Sequence, residues 1–374
     1  MAPATRTATK AKSTLAEVAR LAGVSAPTVS KVVNGRDDVA PETREKVLAA
    51  LAKVGYSSPA QRRVAAPGPD VVEVALDALT SAYTTDVLTG ILDYAAVAGV
   101  EVMVSVTGGT PSAGLGPERR AQRMLDQGRA GLIVVTSAFS EAQLSAFRRH
   151  GIPVVVIDPQ NPPPSDVVSV GATNWAGGKA AAEHLVALGH ERIGYLGGPE
   201  GAECNQARLH GYMSVLMSHG IAVRPECIVH GKFRSEHGIE GLKRLLSLPE
   251  RPTAIFAASD SIAVGVLREA RRQGIRVPED LSLVGFDGTA QAEDAVPALT
   301  SVSQPLQKMG RSALRSVLRQ AHGEPLDSHR VELATELVVR ESTAPPAASD
   351  PARGSRQSAR AGQSAATAGS LPST

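Results

Sequence analysis

Cysteines and aromatic residues are few in this chain, and long hydrophobic runs are missing from it. The two cysteines, Cys204 and Cys227, are too few for a disulfide framework, and no His/Cys cluster has metal-ligand spacing. The basic N-terminus is not followed by the apolar region of a secretion signal, and no uncharged apolar run reaches about 18 residues. We therefore expect a protein of the reducing cytoplasm, associated with the nucleoid, without metal or cofactor and neither secreted nor membrane-spanning.

The small net charge hides an asymmetry along the chain. The 374 residues carry a formal charge of +2, from 39 Lys+Arg against 37 Asp+Glu. Residues 1–66 hold eleven basic and five acidic side chains, so the excess positive charge lies entirely at this end and the rest of the chain is net negative. Clustered positive charge is typical of nucleic-acid-binding surfaces, and the length predicts two to three domains.

Residues 14–55 have the pattern of three short helices. Thr14 opens the first helix through a capping box, Ser25 caps a second helix over Ala26–Val33, and Pro41 is placed to start a third. A helix, a turn that contains glycine and a second helix form the helix-turn-helix layout, whose second helix enters the DNA major groove. The alternative is a small three-helix bundle with no role in DNA binding.

The polar side chains around the second helix suit DNA. Short hydroxyl and amide groups bond phosphate oxygens and fix the register of a protein on the duplex, and this chain offers Thr14, Ser25, Thr28, Ser30 and Asn34. Base reading is left to the exposed part of the helix, at Ala26, Pro27 and Lys31. Only Lys31 has donors for guanine, whereas the other two offer apolar contact to a thymine methyl group.

Beyond residue 70, strand patterns rich in Val and Ile alternate with helical patterns. Alternation over about 270 residues predicts βαβ units, mostly parallel sheets and two lobes with a cleft between them. The fold class is therefore α/β with an N-terminal all-α helix-turn-helix domain. The predicted strands are Val71–Leu79, Val100–Val106, Leu132–Thr136, Val154–Asp158, Ile193–Leu196, Ile255–Ala258 and Leu281–Phe286.

These patterns divide the chain into five parts. A flexible basic N-terminus at 1–13 precedes the helix-turn-helix headpiece at 14–57, and a linker rich in Pro, Ala and Arg follows at 58–70. The two-lobed core is expected at 71–343. Residues 344–374 have almost no large apolar side chain and are expected to be disordered.

The N-terminal run resembles the headpiece of the lac-repressor (LacI/GalR) family almost position for position. The resemblance rests on TLAEVARLAGVSAPTVSKVVNGRDDVAPETREKVLAALAKVGY, residues 14–56, and the chain follows the family's order of motifs to about residue 345. It implies a hinge helix, a dimerising core of two periplasmic-binding-protein-like lobes, and a small molecule in the cleft that switches operator affinity. It places Ala26, Pro27 and Lys31 at specificity positions and assigns further DNA contacts to Thr14, Thr28, Ser30, Asn34, Thr43 and Tyr56.

Two positions depart from the family's pattern. Ala40 replaces the usual capping Ser before the third helix, which costs about 1 kcal/mol of capping. The family's hinge helix carries a leucine that wedges between base pairs, whereas residues 59–66 contain none. Val64 is the nearest substitute and is shorter, so we expect weaker kinking of the DNA. Arg62 and Arg63 either serve the DNA backbone or a narrow minor groove, or are ordinary solvated linker charges.

Polar residues stand at the carboxyl ends of the predicted core strands, where open α/β sheets bind ligands. Any one of them has an alternative role as a helix cap or turn residue. They are Ser81, Tyr83, Thr136, Ser137, Asp158, Ser259, Asp260 and Asp287.

The family resemblance adds residues to this cleft and gives them roles. It implies that Arg208 binds the effector, Phe233 stacks on it, and Asp287 binds its hydroxyls or ring nitrogens. It matches Ser259 and Asp260 to the family's Ser/Asn-Asp pair and Gln304 to a further polar position. A carboxylate, a guanidinium and an aromatic face together suit a sugar.

Three functions follow from these observations. The first is a repressor that binds a palindromic operator as a homodimer and is released by a saccharide in the cleft. The second has the same architecture, but a purine or a partner protein strengthens DNA binding. The third is a sugar-transport protein or an enzyme, for which no export signal, phosphate loop or nucleophile elbow is found. A cap and a surface contact are the expected roles of His184 and His190.

Overall fold

Three helices form the N-terminal unit of the structure, a computed structural model that describes residues 15–33, 39–54, 70–76, 78–106, 116–136 and 140–347. They are α1 (Leu15–Ala22), α2 (Ala26–Val33) and α3 (Pro41–Val54). Val18, Val29 and Val47, one from each helix, are fully buried in a shared core. The predicted second helix is confirmed to the residue.

The first lobe of the core is a six-stranded parallel sheet. Its strands are β1 (Val71–Leu76), β2 (Glu101–Val106), β3 (Arg129–Val135), β4 (Val154–Ile157), β5 (Val168–Ala172) and β11 (Arg330–Leu333), in the spatial order β11-β5-β4-β3-β1-β2. Two helices cover each face, because continuous apolar strands must be buried on both sides. One face carries α4 (Ala82–Ala98) and α12 (Leu306–Ala321), and the other carries α5 (Pro117–Asp126) and α6 (Glu141–Arg149).

The second lobe repeats this plan with one antiparallel edge strand. Its strands are β6 (Ile193–Gly197), β7 (Ile228–His230), β8 (Ala254–Ala257), β9 (Ser282–Asp287), β10 (Thr300–Ser303) and β12 (Glu336–Val338), in the order β12-β10-β9-β8-β6-β7, with β12 antiparallel to β10. The helices α7 (Asn174–Ala187) and α8 (Glu203–Ser218) cover one face. The other face carries α9 (Ser235–Leu246) and α10 (Asp260–Arg272), with short helices at Ala290–Glu293 (α11) and Pro225–Cys227.

The chain passes between the two lobes three times. We name these passes crossover 1 (172–174), crossover 2 (303–306) and crossover 3 (333–336), because each leaves a strand of one sheet and enters an element of the other lobe. Crossovers 1 and 3 are bonded together: the Thr173 amide donates to the Leu333 carbonyl at 2.9 Å, and the Thr335 amide donates to Thr173 Oγ1 at 3.0 Å. The carboxyl ends of both parallel sheets therefore meet at the crossovers.

The predicted strands are all present, but their ends and number differ from the prediction. The first strand ends at Leu76 rather than Leu79, and the polar residues predicted as strand ends, Thr136 and Asp158, lie one residue beyond their strands. Five strands were not predicted: β5, β7, β10, β11 and β12. They are short, and β5 and β11 alternate between more and less buried positions instead of forming the continuous apolar run used to find the others.

The C-terminal end of the described chain packs against the second lobe. The Ala344 carbonyl accepts a hydrogen bond from Ser282 Oγ at 2.8 Å and lies 2.9 Å from His190 Nε2. The expectation of disorder from residue 344 is therefore wrong at Ala344; residues 348–374 lie outside the described ranges. His190 is 1% exposed, so it is a buried anchor for this segment and not the expected surface contact. No helix in the described ranges is long and apolar enough to cross a membrane.

Candidate functional sites

The outer face of α2 presents the predicted base-reading residues. Ala26, Pro27 and Lys31 are exposed, because Val29 and Val32 turn the opposite face of the helix into the core. An exposed helix face with one long cationic side chain is what major-groove reading requires.

The start of α2 is capped as its sequence predicts. Ser25 Oγ accepts a hydrogen bond from the Thr28 amide at 3.3 Å and lies 2.8 Å from Thr28 Oγ1. Ser30 and Thr43 are partly buried, and α3 begins at Pro41 directly after Ala40. The other predicted DNA contacts lie outside the described residues: Thr14, Asn34, Tyr56, Arg62, Arg63 and Val64.

Three residues at strand ends in the cleft have backbone angles in the left-handed region. They are Thr136 after β3, Asp158 after β4 and Asp287 at the end of β9, with φ of 50°, 42° and 115°. Such a conformation costs a residue other than glycine about 1–3 kcal/mol, and it concentrates at functional sites. Their clustering at the carboxyl edges of both sheets marks this region as the candidate site.

Asp158 receives a hydrogen bond from the helix that follows β1. Tyr83, in the first turn of α4, donates from its hydroxyl to Asp158 Oδ2 at 2.7 Å, and the two side chains are 8% and 5% exposed. Burial raises the pKa of Asp158, and Arg208 opposes this by favouring the carboxylate. Burial and the neighbouring carboxylate raise the pKa of the Tyr83 phenol well above its ordinary value.

Arg208 lies at the centre of the site and is 2% exposed. Its Nε donates to Asn174 Oδ1 at 2.8 Å, and its Nη1 donates to the Ala258 carbonyl at 2.7 Å and lies 3.7 Å from Asp287 Oδ1. The guanidinium stacks 3.8 Å from the centre of the Phe286 ring. A buried cation thus has a carboxylate, two oxygen acceptors and an aromatic face, which offset the cost of its burial.

Asp287 is bonded on its other side to Gln304. The backbone amide of Gln304 donates to the Asp287 carbonyl at 3.0 Å, and its side-chain Nε2 donates to Asp287 Oδ1 at 2.8 Å. Its Oε1 is buried with no hydrogen-bond partner among the described residues. Burial raises the pKa of Asp287 well above its ordinary value, although Arg208 acts against this. An unpaired buried acceptor beside a carboxylate is suited to a ligand that donates hydrogen bonds.

Ser259 and Asp260 lie at this edge of the second sheet, but their side chains are bonded to the protein. Ser259 Oγ accepts from the Ile262 amide at 3.2 Å and so caps α10, the alternative role considered for such residues. Asp260 Oδ2 accepts from the Thr289 amide and hydroxyl at 2.8 and 2.9 Å, and its Oδ1 accepts from Ser301 Oγ at 2.6 Å. Asp260 thereby ties the loop after β9 to β10.

Of the remaining predicted residues, Phe233 lies beside Arg208. Phe233 packs so tightly on Gly198 that a Cβ atom there would lie 2.1 Å from the ring, and the Phe233 ring centre is 5.7 Å from the Arg208 guanidinium carbon. Ser81 is partly buried directly before α4 and makes no side-chain cap. Thr136 is partly buried and its carbonyl accepts from Gln160 Nε2 at 2.7 Å. Ser137 lies outside the described residues.

Two side chains of the site were not predicted from the sequence. Asn174 begins α7 and contacts Arg208, and Cys204 stands one helical turn before Arg208 on α8. Burial raises the pKa of Cys204 to about 12, so the thiol is un-ionised. The spacing of four residues between Cys204 and Arg208 was a usable signal. No spacing signal pointed to Asn174, because its contact with Arg208 spans 34 positions and forms only when α7 packs against α8.

No metal-binding group of three His, Cys, Asp or Glu side chains occurs in the part of the chain that the structure describes.

Comparison with known proteins follows the same division of the chain. Residues 14–58 match the family of bacterial regulatory proteins of the lacI type, and residues 182–343 match a periplasmic binding protein-like domain. The transcriptional regulator CelR of Thermobifida fusca is 34% identical over 337 residues, which are 88% of this chain and 98% of CelR. The chain belongs to the LacI family.

Other relatives of this LacI-family chain are also regulators. Catabolite control protein A of Priestia megaterium is 32% identical and the repressor CytR of Escherichia coli K12 is 31% identical, each over 88% of this chain and covering 99% and 96% of the relative. CelR is named as a transcriptional regulator and CytR as a transcriptional repressor. The predicted function, a DNA-binding transcriptional repressor switched by an effector, is confirmed by these relatives.

Solved structures agree with this fold. A CelR–cellobiose complex superposes with a TM-score of 0.66 at 31% identity, covering 88% of this chain and 99% of that one. A lac repressor dimer bound to operator and the anti-inducer ONPF has a TM-score of 0.64 at 28% identity, covering 89% and 99%. The predicted headpiece and two parallel-sheet lobes are confirmed.

Proposed function

We propose that this chain is a homodimeric, cytoplasmic repressor of a palindromic operator, released from DNA when a neutral saccharide binds between the lobes. The recognition surface is Ala26, Pro27 and Lys31 on α2. The effector site is formed by Tyr83, Asp158, Phe233 and Gln304 around the buried Arg208–Asp287 pair, which is the observation that carries the proposal. Ser81, Thr136, Ser259 and Asp260 complete its walls.

The chemistry of the site favours paired hydroxyl groups. Asp158 and Asp287 offer carboxyl oxygens, Gln304 Oε1 is a free buried acceptor, and Arg208 is a donor. A pyranose or furanose supplies adjacent O–H groups for such acceptors and a C–H face for an aromatic ring such as Phe233.

The charge of the site favours a neutral ligand. Three buried carboxyl side chains, those of Asp158, Asp260 and Asp287, lie near a single buried guanidinium. A phosphorylated sugar or a sugar acid would bring a negative charge into a site where burial already disfavours the charged form of each carboxyl group. A saccharide in a relative also supports this ligand class, since that CelR structure is described as a cellobiose complex.

The effector can switch DNA binding only if it prefers one arrangement of the lobes. A ligand with equal affinity for both arrangements shifts nothing, however tightly it binds. Because the site takes Asp158 from one lobe and Arg208 and Asp287 from the other, a ligand that bonds all three changes the geometry between the lobes.

The test is a titration of saccharides into an operator complex. A palindromic duplex is first selected from a random pool with the full chain, and neutral sugars that include cellobiose are then added while DNA binding is followed by fluorescence anisotropy. We expect one neutral sugar to weaken operator binding by about tenfold or more, and we expect Asp287→Ala to lose this response when it is compared with its own operator affinity in the absence of sugar.

The matched control is Asp294→Ala, an exposed aspartate of the same lobe, which should respond like the unchanged protein. A rise in operator affinity on adding a ligand would instead establish a corepressor, and a response to phosphorylated sugars alone would contradict the neutral ligand. A normal response in the Asp287 variant would remove Asp287 from the site.

A further inference from the structure

Asn174 stands at a crossover, and its side chain bonds groups of both lobes. It is the last residue of crossover 1, which leaves β5, and the first residue of α7. Its Oδ1 accepts from Arg208 Nε of the second lobe at 2.8 Å, and its Nδ2 donates to the carbonyl of Ala172, the last residue of β5 in the first lobe, at 3.1 Å. It is 9% exposed, so these bonds are shielded from water.

Close packing of two helices fixes Asn174 beside Arg208. A Cβ atom at Gly178 of α7 would lie 2.2 Å from the Arg208 carbonyl oxygen, and one at Gly211 of α8 would lie 2.2 Å from the Trp175 carbonyl oxygen. Only glycine fits at both contacts, so α7 and α8 approach backbone to backbone close to Asn174 and Arg208. This pairing of helices sets the position of the effector-binding guanidinium.

From Arg208 the contacts continue to the other two crossovers. Arg208 lies 3.7 Å from Asp287, and Asp287 is bonded by both the amide and the side chain of Gln304 in crossover 2. In the other direction Thr173, adjacent to Asn174, is bonded to Thr335 of crossover 3 through its hydroxyl at 3.0 Å. Hydrogen bonds, an ion pair and the peptide bond between Thr173 and Asn174 therefore connect all three crossovers.

We propose that Asn174 is a positioning residue that couples the effector-binding Arg208 to all three crossovers and so to the angle between the lobes. An effector that bonds Arg208 or Asp287 competes for the same groups that hold the crossovers. The change at the site is thereby passed to the segments that must bend when the lobes move. The inference rests on the proposed effector site, but its test uses no effector, so the two can fail separately.

The test is amide hydrogen exchange of the full chain, resolved to single amides. Three amides report on the crossovers, those of Thr173, Gln304 and Thr335, because each is the donor in one of the bonds described above. We expect Asn174→Ala to speed exchange by about fivefold to tenfold at all three, including Gln304, which Asn174 does not contact. The slowest amides of the β-sheets give the global stability against which the rates are compared.

Asn205→Ala is the matched control. Asn205 is a fully buried asparagine on the same helix as Arg208, but its Oδ1 accepts hydrogen bonds from groups of the second lobe, the Tyr195 hydroxyl at 2.9 Å and the Gly198 amide at 2.8 Å. This variant should speed exchange at Gly198 and leave the three crossover amides unchanged. Equal effects of the two variants at Gln304 would reduce Asn174 to a general structural role.

A second variant tests whether the route passes through Arg208. Asn174→Asp keeps an acceptor for Arg208 Nε and loses the donor to Ala172. We therefore expect exchange at Gln304 within about twofold of the unchanged protein, with faster exchange at Thr173. Acceleration at Gln304 as large as in Asn174→Ala would overturn the proposal, as would no acceleration at Gln304 in either variant.

Discussion

The side chains on the outer face of α2 and those in the cleft between the lobes differ greatly in their exposure to solvent. On α2, Ala26, Pro27 and Lys31 face solvent. In the cleft, Arg208 and Asp287 are 2% and 6% exposed and are bonded to the protein on several sides. The proposed DNA-reading side chains can therefore be changed with little cost to folding, whereas the cleft residues serve both the proposed recognition of the effector and stability.

The largest expected effect comes from removing the buried cation of the cleft. Arg208→Met leaves Asp287 and Asp158 without their positive partner in a site closed to water. Breaking a buried pair costs about 3–5 kcal/mol, and denaturant unfolding of the core measures it. The matched control is Arg224→Met, since Arg224 pairs with Glu250 on the exposed surface and should matter little. An equal loss of unfolding free energy in the two variants would show that the buried ion pair matters no more to stability than the surface pair.

The second effect is a pH dependence located in the cleft. Burial raises the pKa of Asp260 to about 6, from an ordinary value of 3.8. Because the folded state holds this proton more tightly than the unfolded state, the contribution of Asp260 to stability is full below about pH 4 and is lost as the pH rises through 6. In the unchanged protein, the free energy of unfolding should therefore fall between pH 4 and 7, and in Asp260→Asn the part of this fall that Asp260 causes should be absent. An identical pH profile in both proteins would contradict it.

The third effect is smaller and lies on the exposed face. Lys31→Ala should cost about 1–3 kcal/mol of binding to the selected operator, with little change on non-specific DNA and none in thermal stability. Anisotropy titrations on both duplexes measure this. Equal losses on both would show that Lys31 contacts only phosphate, and a loss of stability would show that α2 is less independent of its core than its exposure indicates.

The same contrast explains what the sequence could predict. The headpiece is coded by neighbouring residues: Ser25, the eight residues of α2 and Pro41 act within one or two helical turns, so spacing alone located them. Its three helices were predicted, as were the βαβ pattern and the presence of two lobes.

The cleft brings together residues far apart in the chain, and spacing reveals little about it. Tyr83 meets Asp158 across 75 positions and Arg208 meets Asn174 across 34. Arg208 was identified by family resemblance and Asp287 first by its place at a strand end, whereas Asn174 was missed because its importance arises only when α7 packs against α8. Ser259 and Asp260 were correctly placed at the strand edge, but their hydrogen bonds to the Ile262 amide, Thr289 and Ser301 depend on the folded geometry.

In the proposed function, sugar binding in the cleft and operator binding by the headpiece are coupled within one chain. Such coupling is reciprocal. If a sugar weakens operator binding by some factor, the operator must weaken sugar binding by that same factor. Calorimetric titration of the sugar found in the anisotropy experiment into the free protein and into its operator complex measures this directly. We expect equal factors, of about tenfold or more. The same sugar affinity with and without operator would contradict it.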